Sequence, residues 1–256
     1  MTVAGREVTA AVLIIGNEIL SGRTKDVNLG FLAEQLTGLG IRLREARVIA
    51  DLESDIVATV NETRARYDYV FTTGGIGPTH DDITADSVAK AFGVAIDYHP
   101  QAVALMKAHF AARGTDMNEA RMRMARMPAG AELVLNRISA APGFRIENVI
   151  VLAGVPAIMQ AMLDAVAPQL KTGTKVVSDT VRADCREGDI GTELGNIAKA
   201  WPELTIGSYP FVDEATGVPN TNLVVRGRDP AQVAAAMADV RTMLGEVRAR
   251  LTALRS

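Results

Sequence analysis

Short apolar runs alternate with amphipathic segments along the first two thirds of the chain. Residues 11–15 and 69–71 are continuous apolar runs, which predict buried strands. Residues 41–48 alternate apolar and charged positions and predict a more exposed strand. Strand–helix alternation with short connections predicts a parallel sheet covered by helices on both faces. The helices predicted between and after these strands cover residues 26–39, 54–66, 86–92 and 156–167.

The pattern changes after residues 171–174, which are typical of a linker. The downstream segment predicts a strand, a helix, two strands and a helix, which is a small α+β domain. We therefore divide the chain into residues 1–172 and residues 173–256. Within the first domain, residues 100–113 and 118–127 predict two helices of an insertion, and we assign its methionines to packing.

Three further strands are predicted over residues 132–135, 144–146 and 149–152. The last two are close enough to be joined by a two-residue hairpin turn at Glu147-Asn148, although the usual glycine is absent. The final helix of the chain is predicted from Pro230 to about Leu254.

Composition narrows the class of protein. The chain has 256 residues, 48% of them apolar, and a formal net charge of −3, so bulk charge gives no reason to expect nucleic acid binding. The single cysteine, Cys185, excludes an internal disulfide and favours a reducing compartment. No apolar stretch has the length of a signal peptide core or a membrane span. We expect a cytoplasmic α/β protein that binds neither membranes nor nucleic acid.

A glycine-rich turn at residues 72–84 carries the strongest chemical signal. It lies between the apolar strand at 69–71 and the predicted helix at 86–92, where backbone N–H groups face an anion in many proteins. The expected ligand is therefore a phosphate group. The candidate donors are the backbone of Gly74, Gly75 and Gly77 and the hydroxyl groups of Thr73 and Thr79.

Two adjacent carboxylates, Asp81 and Asp82, end this turn, and carboxylates bind divalent metals or transfer protons. One of them is also expected to cap the following helix. We assign Asp82 to the ligand and Asp81 to a supporting or metal-linked position. Parallel topology brings Glu18 and Asp51 to the same sheet edge, although Asp51 is equally well placed to begin a helix.

The turn resembles the Thr-Gly-Gly-x-Gly-Pro-Thr-x-Asp-Asp-x-Thr signature of the CinA amino-terminal family, part of the molybdopterin-binding (MoaB/Mog-like) superfamily. Residues 73–84 carry that signature. The resemblance implies a three-layer α/β/α, Rossmann-like first domain and a KH-like second domain. The amidase domain of full-length CinA proteins is not matched, so no nicotinamide-mononucleotide deamidase activity is expected. The match extends to residues 16–22, Asn28, residues 48–51 and residues 141–144.

The resemblance also implies a site. In the adenylyltransferase branch the positions of Asp51 and Asp82 serve metal-assisted adenylyl transfer, and in the CinA and FAD-synthase branches the domain is associated with metal-dependent pyrophosphate hydrolysis. Metal ligands are then expected at Asp82, Asp51, Asp81 and Glu18, and further ligand contacts at Ser21, Gly22, Gly143 and Gly154. The residues around Gly143 and Gly154 either admit a ring or phosphate or only form tight turns.

Three functions follow from the resemblance. The first is a nucleotide pyrophosphatase acting on ADP-ribose-like or FAD-like substrates with Mg²⁺, Mn²⁺ or Co²⁺. The second is molybdopterin adenylyl transfer, which the second domain argues against. The third is binding of a pterin or nucleotide without catalysis, because residues 153–158 lack a glutamate that one branch carries and residues 136–140 also depart from the family pattern. A homo-oligomer is expected by resemblance.

Overall fold

The computed structural model describes residues 7–253. The chain divides into two compact units, with the boundary between Gly173 and Thr174. The predicted end of the last helix at Leu254 lies outside the described residues.

The first unit contains a six-stranded sheet. Its order is β2-β1-β3-β8-β7-β6, and the first four strands are parallel, as the strand–helix alternation predicts, whereas β7 and β6 are antiparallel. A separate antiparallel pair joins β4 and β5. The strands are β1 (Val8–Ile15), β2 (Ile41–Ile49), β3 (Tyr69–Thr73), β4 (Ile96–Tyr98), β5 (Arg126–Pro128), β6 (Glu132–Val134), β7 (Gly143–Ile146) and β8 (Val149–Leu152).

The antiparallel edge begins at the predicted hairpin turn between β7 and β8. Glu147 takes a φ of 49°, the left-handed conformation that a glycine usually supplies in such a turn. The hairpin therefore forms without a glycine, at the cost of about 1 kcal/mol or more of backbone strain.

Helices cover both faces of the main sheet. On one face Leu32 and Met159 pack with Phe71, and on the other Ile56 and Val88 form part of a second buried cluster. Each fully buried aliphatic side chain contributes about 1.5–3 kcal/mol. The helices are α1 (Asn17–Leu20), α2 (Asn28–Gly38), α3 (Glu53–Arg66), α4 (Thr84–Phe92), α5 (Pro100–Ala111), α6 (Glu119–Arg123) and α7 (Pro156–Val166).

The insertion differs from its prediction. The second insertion helix ends at Arg123 instead of Met127, and Arg126–Pro128 form β5 against β4. Met127 is buried in the cluster that contains Val88. A tertiary contact has thus converted the end of a helical pattern into a strand.

The second unit has the predicted order of elements. Its antiparallel sheet has the order β10-β11-β9, and the side chains of α8 and α9 share its buried cluster. Cys185 is buried there, and burial raises the pKa of its thiol. No helix within residues 7–253 is long and apolar enough to cross a membrane. The elements are β9 (Val177–Arg182), α8 (Gly191–Ala200), β10 (Thr205–Val212), β11 (Pro219–Gly227) and α9 (Pro230–Ala253).

Candidate functional site

The four parallel strands β2, β1, β3 and β8 are neighbours, so the loops that follow them lie at one edge of the sheet, as the sequence predicts. Backbone hydrogen bonds connect these loops to neighbouring strands. The N–H of Gly16 donates to the carbonyl of Ile49 at 3.2 Å, and the N–H of Gly74 donates to the carbonyl of Leu152 at 3.3 Å. These hydrogen bonds therefore fix the positions of the loops after β1 and β3 relative to the neighbouring strands.

Two glycines allow the turn after β3 to form. Gly74 and Gly75 have φ angles of +102° and +65°. A Cβ atom on Gly74 would lie 2.1 Å from the carbonyl oxygen of Ile15, and one on Gly75 would lie 2.2 Å from Oγ1 of Thr84. The Thr84 hydroxyl donates to the carbonyl of Gly74 at 3.0 Å, and its N–H donates to that of Gly75. Both positions therefore require glycine.

The available anion donors differ by one residue from those predicted. The N–H of Gly74 is used in the bond to Leu152 and is not free for a ligand. The N–H groups of Gly75, Ile76 and Gly77 donate to no acceptor in the described part of the chain. The candidate phosphate cradle of this turn therefore consists of residues 75–77.

Thr73 does not lie in this cradle. Its side chain is buried within β3, only 1% exposed, and the neighbouring Thr72 hydroxyl has no hydrogen-bond partner in the described structure. Both strand threonines are therefore buried in β3 and are not accessible to a ligand.

Asp82 closes the turn. Its Oδ2 atom accepts hydrogen bonds from the N–H of Thr79 at 2.8 Å and from the Thr79 hydroxyl at 2.5 Å. Its Oδ1 atom accepts none from residues 7–253, which leaves it for a ligand. The expectation that one of the two aspartates caps the next helix is wrong, because α4 begins at an Ile83 cap without a side-chain hydrogen bond.

Asp81 is exposed, with 67% of its side chain accessible. The Thr79 side chain and a backbone N–H lower the pKa of Asp81, and the charge of His80 contributes less. The Thr79 hydroxyl has a single proton and donates it to Asp82 at 2.5 Å. The interaction of this hydroxyl with Asp81 is therefore the weaker of the two.

Glu18 and Asp51 lie together at the start of α1, which occupies part of the predicted loop at residues 16–22. Oδ2 of Asp51 accepts a hydrogen bond from the N–H of Asn17 at 2.8 Å. The Glu18 carboxylate folds over Gly16, where a Cβ would lie 2.5 Å from Oε1. Asp51 does not cap α3, whose cap is Leu52. Asp51 thus binds the start of α1 beside the end of β1, and the Glu18 carboxylate lies next to Gly16.

The remaining candidates have different surroundings. Ser21 and Gly22 are exposed in the turn after α1, with Gly22 at a φ of +70°. Gly143 is buried within β7, where a Cβ would lie 2.3 Å from the carbonyl oxygen of Val151, so strand packing explains this glycine.

Gly154 connects the end of β8 to the glycine turn. A Cβ on Gly154 would lie 3.3 Å from the Cα of Gly74, and its carbonyl accepts a hydrogen bond from Nδ2 of Asn28 at 2.8 Å. Asn28 is 5% exposed, and its Oδ1 atom has no partner in the described structure. Asn28 therefore holds the Gly154 loop beside the turn.

A groove runs between the glycine turn and the insertion, and we call it the turn groove. Its narrow part is a cavity of about 20 Å³, and an adjoining wide part has about 440 Å³. Arg123 and Arg126 line both parts. The narrow part is also lined by Gly75, Ile76, Gly77, Asp82, Met124 and Phe144, among others, and the wide part by Pro78, His80, Tyr98, Glu119 and Ala120.

The sequence interpretation missed the insertion wall of this groove. Arg123 and Arg126 lie in a segment that the sequence analysis assigned to methionine packing. The sequence signal for a polar role was the interruption of these methionines by arginines. Arg126 forms a bidentate ion pair with Asp86, with N–O distances of 2.7 and 3.1 Å. Arg123 forms no hydrogen bond or ion pair with residues 7–253, and its Nε atom is buried without a partner.

The predicted metal ligands do not form a complete metal site. Within residues 7–253, no group of three or more histidine, cysteine, aspartate or glutamate side chains is placed to hold a metal ion. Asp82 and Asp51 each use one carboxylate oxygen for a backbone N–H. Mg²⁺ is, however, commonly held by one or two carboxylates together with substrate phosphates, and Asp82 fits that smaller role.

Comparison with known proteins identifies both parts of the chain. Residues 11–172 match the family described as probable molybdopterin binding domain, and residues 175–250 match that described as FAD synthase, middle domain. The second match replaces the expected KH-like assignment of the smaller unit.

Individual relatives agree with these matches. A Pyrobaculum calidifontis protein is 36% identical over 214 residues, which cover 79% of this chain and 80% of the relative. A probable FAD synthase of Caenorhabditis briggsae is 32% identical over 230 residues, covering 80% of this chain and 44% of that protein. The crystal structure of CinA from Thermoplasma acidophilum, a protein described as of unknown function, has a TM-score of 0.59 at 33% identity and covers 64% of this chain and 98% of that one. The chain therefore belongs to the molybdopterin-binding domain family and resembles CinA in its first unit.

Proposed function

We propose that this protein hydrolyses the pyrophosphate bond of a nucleotide of the ADP-ribose or FAD class. The observation that carries the proposal is the joint position of three unused backbone N–H groups, those of residues 75–77, and the Asp82 carboxylate in the narrow part of the turn groove. Oriented N–H groups stabilise the charge that develops on a phosphoryl group during its transfer.

Asp82 has a defined place in this reaction. Thr79 fixes one carboxylate oxygen of Asp82, so the other oxygen has a stable orientation toward a ligand or water. In that position Asp82 accepts a proton from the attacking water or holds a cation brought by the substrate. A divalent cation, when bound, neutralises phosphate charge and polarises the phosphoryl oxygens. Asp51 instead organises α1, which supports the sheet edge.

The relatives favour a dinucleotide as the substrate. The smaller unit matches the middle domain of FAD synthase, and probable FAD synthases are among the relatives that match about four fifths of the chain. A flavin or adenine dinucleotide contains a pyrophosphate that a phosphate cradle recognises.

The test measures AMP release from ADP-ribose, FAD and NADH, each with Mg²⁺, Mn²⁺, Co²⁺ or EDTA. We expect AMP formation that decreases about 100-fold or more in Asp82→Asn, the usual cost of losing a catalytic acid or base. The matched control is Asp81→Asn, which removes the neighbouring charge without changing the groove lining. AMP release that survives Asp82→Asn, or is lost in the control alone, contradicts the site assignment.

Binding without catalysis is the second candidate, and the incomplete metal set favours it. Calorimetric binding of a nucleotide or pterin without AMP release under any metal condition would support this function. Adenylyl transfer to a pterin is distinguished by AMP incorporation into molybdopterin in the presence of ATP.

We also propose that the protein forms a homo-oligomer. Apolar side chains are exposed in α1 and in the loops at the carboxyl edge of the sheet, with Leu20, Leu52 and Val155 each more than half accessible. Light scattering coupled to size-exclusion chromatography measures the oligomeric state, and a monomer at all concentrations contradicts the proposal.

A further inference from the structure

We propose that Arg123 is a ligand-binding residue that holds an anionic group of the nucleotide opposite residues 75–77. This inference rests on the proposed nucleotide function, but it concerns binding and does not require hydrolysis. It assigns a ligand contact to the insertion, whose predicted role was packing.

The first evidence is the unpaired state of Arg123. Its Nε atom is buried and has no hydrogen-bond partner in the described structure, and its guanidinium group forms no ion pair with residues 7–253. Leaving a buried donor unsatisfied costs about 1–3 kcal/mol, and more when the group is charged. Arg123 also lines the groove, so an anion bound there would give the guanidinium the counter-charge that residues 7–253 do not supply.

The other arginines of the insertion show that this state is specific to Arg123. Arg121 donates to the carbonyl of Asp116 and lies 4.8 Å from the centre of the Phe110 ring. Arg113 contacts the His109 ring. Three carboxylates line the groove: Asp86 is paired with Arg126, and neither Asp82 nor Glu119 forms an ion pair with Arg123. No described carboxylate thus neutralises Arg123.

The second evidence is that Arg123 and the backbone donors of the turn line the same cavity. Arg123 lines the narrow part of the turn groove together with Gly75, Ile76 and Gly77, whose N–H groups are unused. A guanidinium and a row of backbone N–H groups are both recurrent phosphate ligands. Their combination on two walls of one groove is more selective for an anion than either group alone.

The shape of the groove gives the orientation of the ligand. The narrow part, about 20 Å³, has room for little more than one water-sized group, so it admits phosphate oxygens but not a ring. The wide part, about 440 Å³, lies within the size range of small-molecule sites. It is lined by Tyr98, which is 43% exposed and offers a ring for stacking. A phosphate therefore binds between Arg123 and the turn, and the nucleoside extends toward Tyr98.

The experiment measures binding by isothermal titration calorimetry with adenosine, AMP and ADP-ribose, in EDTA to prevent turnover. Arg123→Met removes the guanidinium and keeps a side chain of similar length, and Arg123→Lys keeps the charge. The matched control is Arg113→Met, which removes an equal charge from an exposed position of the same insertion. Thermal unfolding of each variant shows whether it folds.

We expect Arg123→Met to weaken ADP-ribose binding about 10-fold to 100-fold, as for loss of a hydrogen bond to a charged group. Arg123→Lys should recover part of this affinity, adenosine binding should change little, and Arg113→Met should bind ADP-ribose like the wild type. Equal ADP-ribose affinity in Arg123→Met and wild type would overturn the inference. So would a wild-type protein that binds none of the three ligands. Binding that depends on Arg123, without AMP release in the metal assay, would support this inference while contradicting the proposed hydrolysis.

Discussion

Asp82 and Thr79 are joined by two hydrogen bonds that converge on one oxygen: Oδ2 of Asp82 accepts from both the N–H and the hydroxyl of Thr79, at 2.8 and 2.5 Å. The other oxygen of Asp82 has no partner among residues 7–253. The Asp82 carboxylate therefore stabilises the turn through Oδ2 and leaves Oδ1 available for a ligand in the groove.

This relationship predicts the effect of Thr79→Val. The substitution keeps the side-chain shape and the backbone donor but removes the hydroxyl donor. We expect a loss of about 0.5–1 kcal/mol in the free energy of unfolding, the usual value of one hydrogen bond, measured by denaturant titration. AMP release should also fall, because Asp82 is less well oriented.

Thr115→Val is the control for Thr79→Val. Its hydroxyl is exposed and donates to the carbonyl of Arg113 at 3.3 Å, away from the turn groove. Equal AMP release by Thr79→Val and Thr115→Val would show that the hydroxyl contact does not orient Asp82.

Gly74→Ala should destabilise the first unit strongly. The φ of +102° and the carbonyl of Ile15, 2.1 Å from the added Cβ, both oppose a side chain. We expect a loss of about 2–4 kcal/mol in the free energy of unfolding, in the upper range for single substitutions. Gly93→Ala is the control, because Gly93 has a φ of +66° but open space around its Cβ position, so only the left-handed conformational cost of about 1–2 kcal/mol applies. Similar losses for both variants in denaturant titrations would contradict the steric explanation.

The ion pair of Asp86 and Arg126 should stabilise the groove wall. Both side chains are about one third exposed or less, and the contact is bidentate. A double-mutant cycle with Asp86→Asn and Arg126→Gln should give a coupling energy of about 1 kcal/mol, at the top of the range for exposed pairs. The free energies of unfolding of the two single variants and the double variant provide the measurement. Strictly additive losses would show that the two residues contribute independently.

Acid should weaken the contact of β2 with α3. Arg47 donates two hydrogen bonds to Glu62, at 2.6 and 2.7 Å, and they lower the pKa of Glu62 to about 2 from an ordinary value of 4.5. Because the folded pKa is the lower one, this stabilisation is present above pH 4.5 and is lost as the pH falls toward 2. Glu62→Gln should therefore reduce the slope of unfolding free energy against pH in that window. The exposed Glu34, which has no ion pair among residues 7–253, provides the control Glu34→Gln, and an equal change in both variants would contradict the prediction.

Most of the fold could be predicted because its periodicities are local. The apolar run of β1 and the helical spacing of α2 depend only on neighbouring residues, and each lies close to its predicted position. The prediction failed at residues 126–128, where burial of Met127 and pairing with Tyr98 and its neighbours form a strand inside a helical pattern. Such pairing joins residues about 30 positions apart, which a local pattern does not contain.

By itself, the sequence determined the order of elements in the second unit and of most elements in the first, the glycine turn and the family to which the first unit belongs. These follow from the spacing of apolar residues and from glycines at positions whose backbone conformation other residues rarely adopt. Only the tertiary structure decided which groups are free to act. The N–H of Gly74 is used in the sheet, and Asp51 binds the start of α1, whereas Arg123 lines the same cavity as the turn and has no hydrogen-bond partner among residues 7–253. Whether a polar group is available to a ligand depends on which residues distant in sequence lie within hydrogen-bond distance of it, and that is a property of the folded chain.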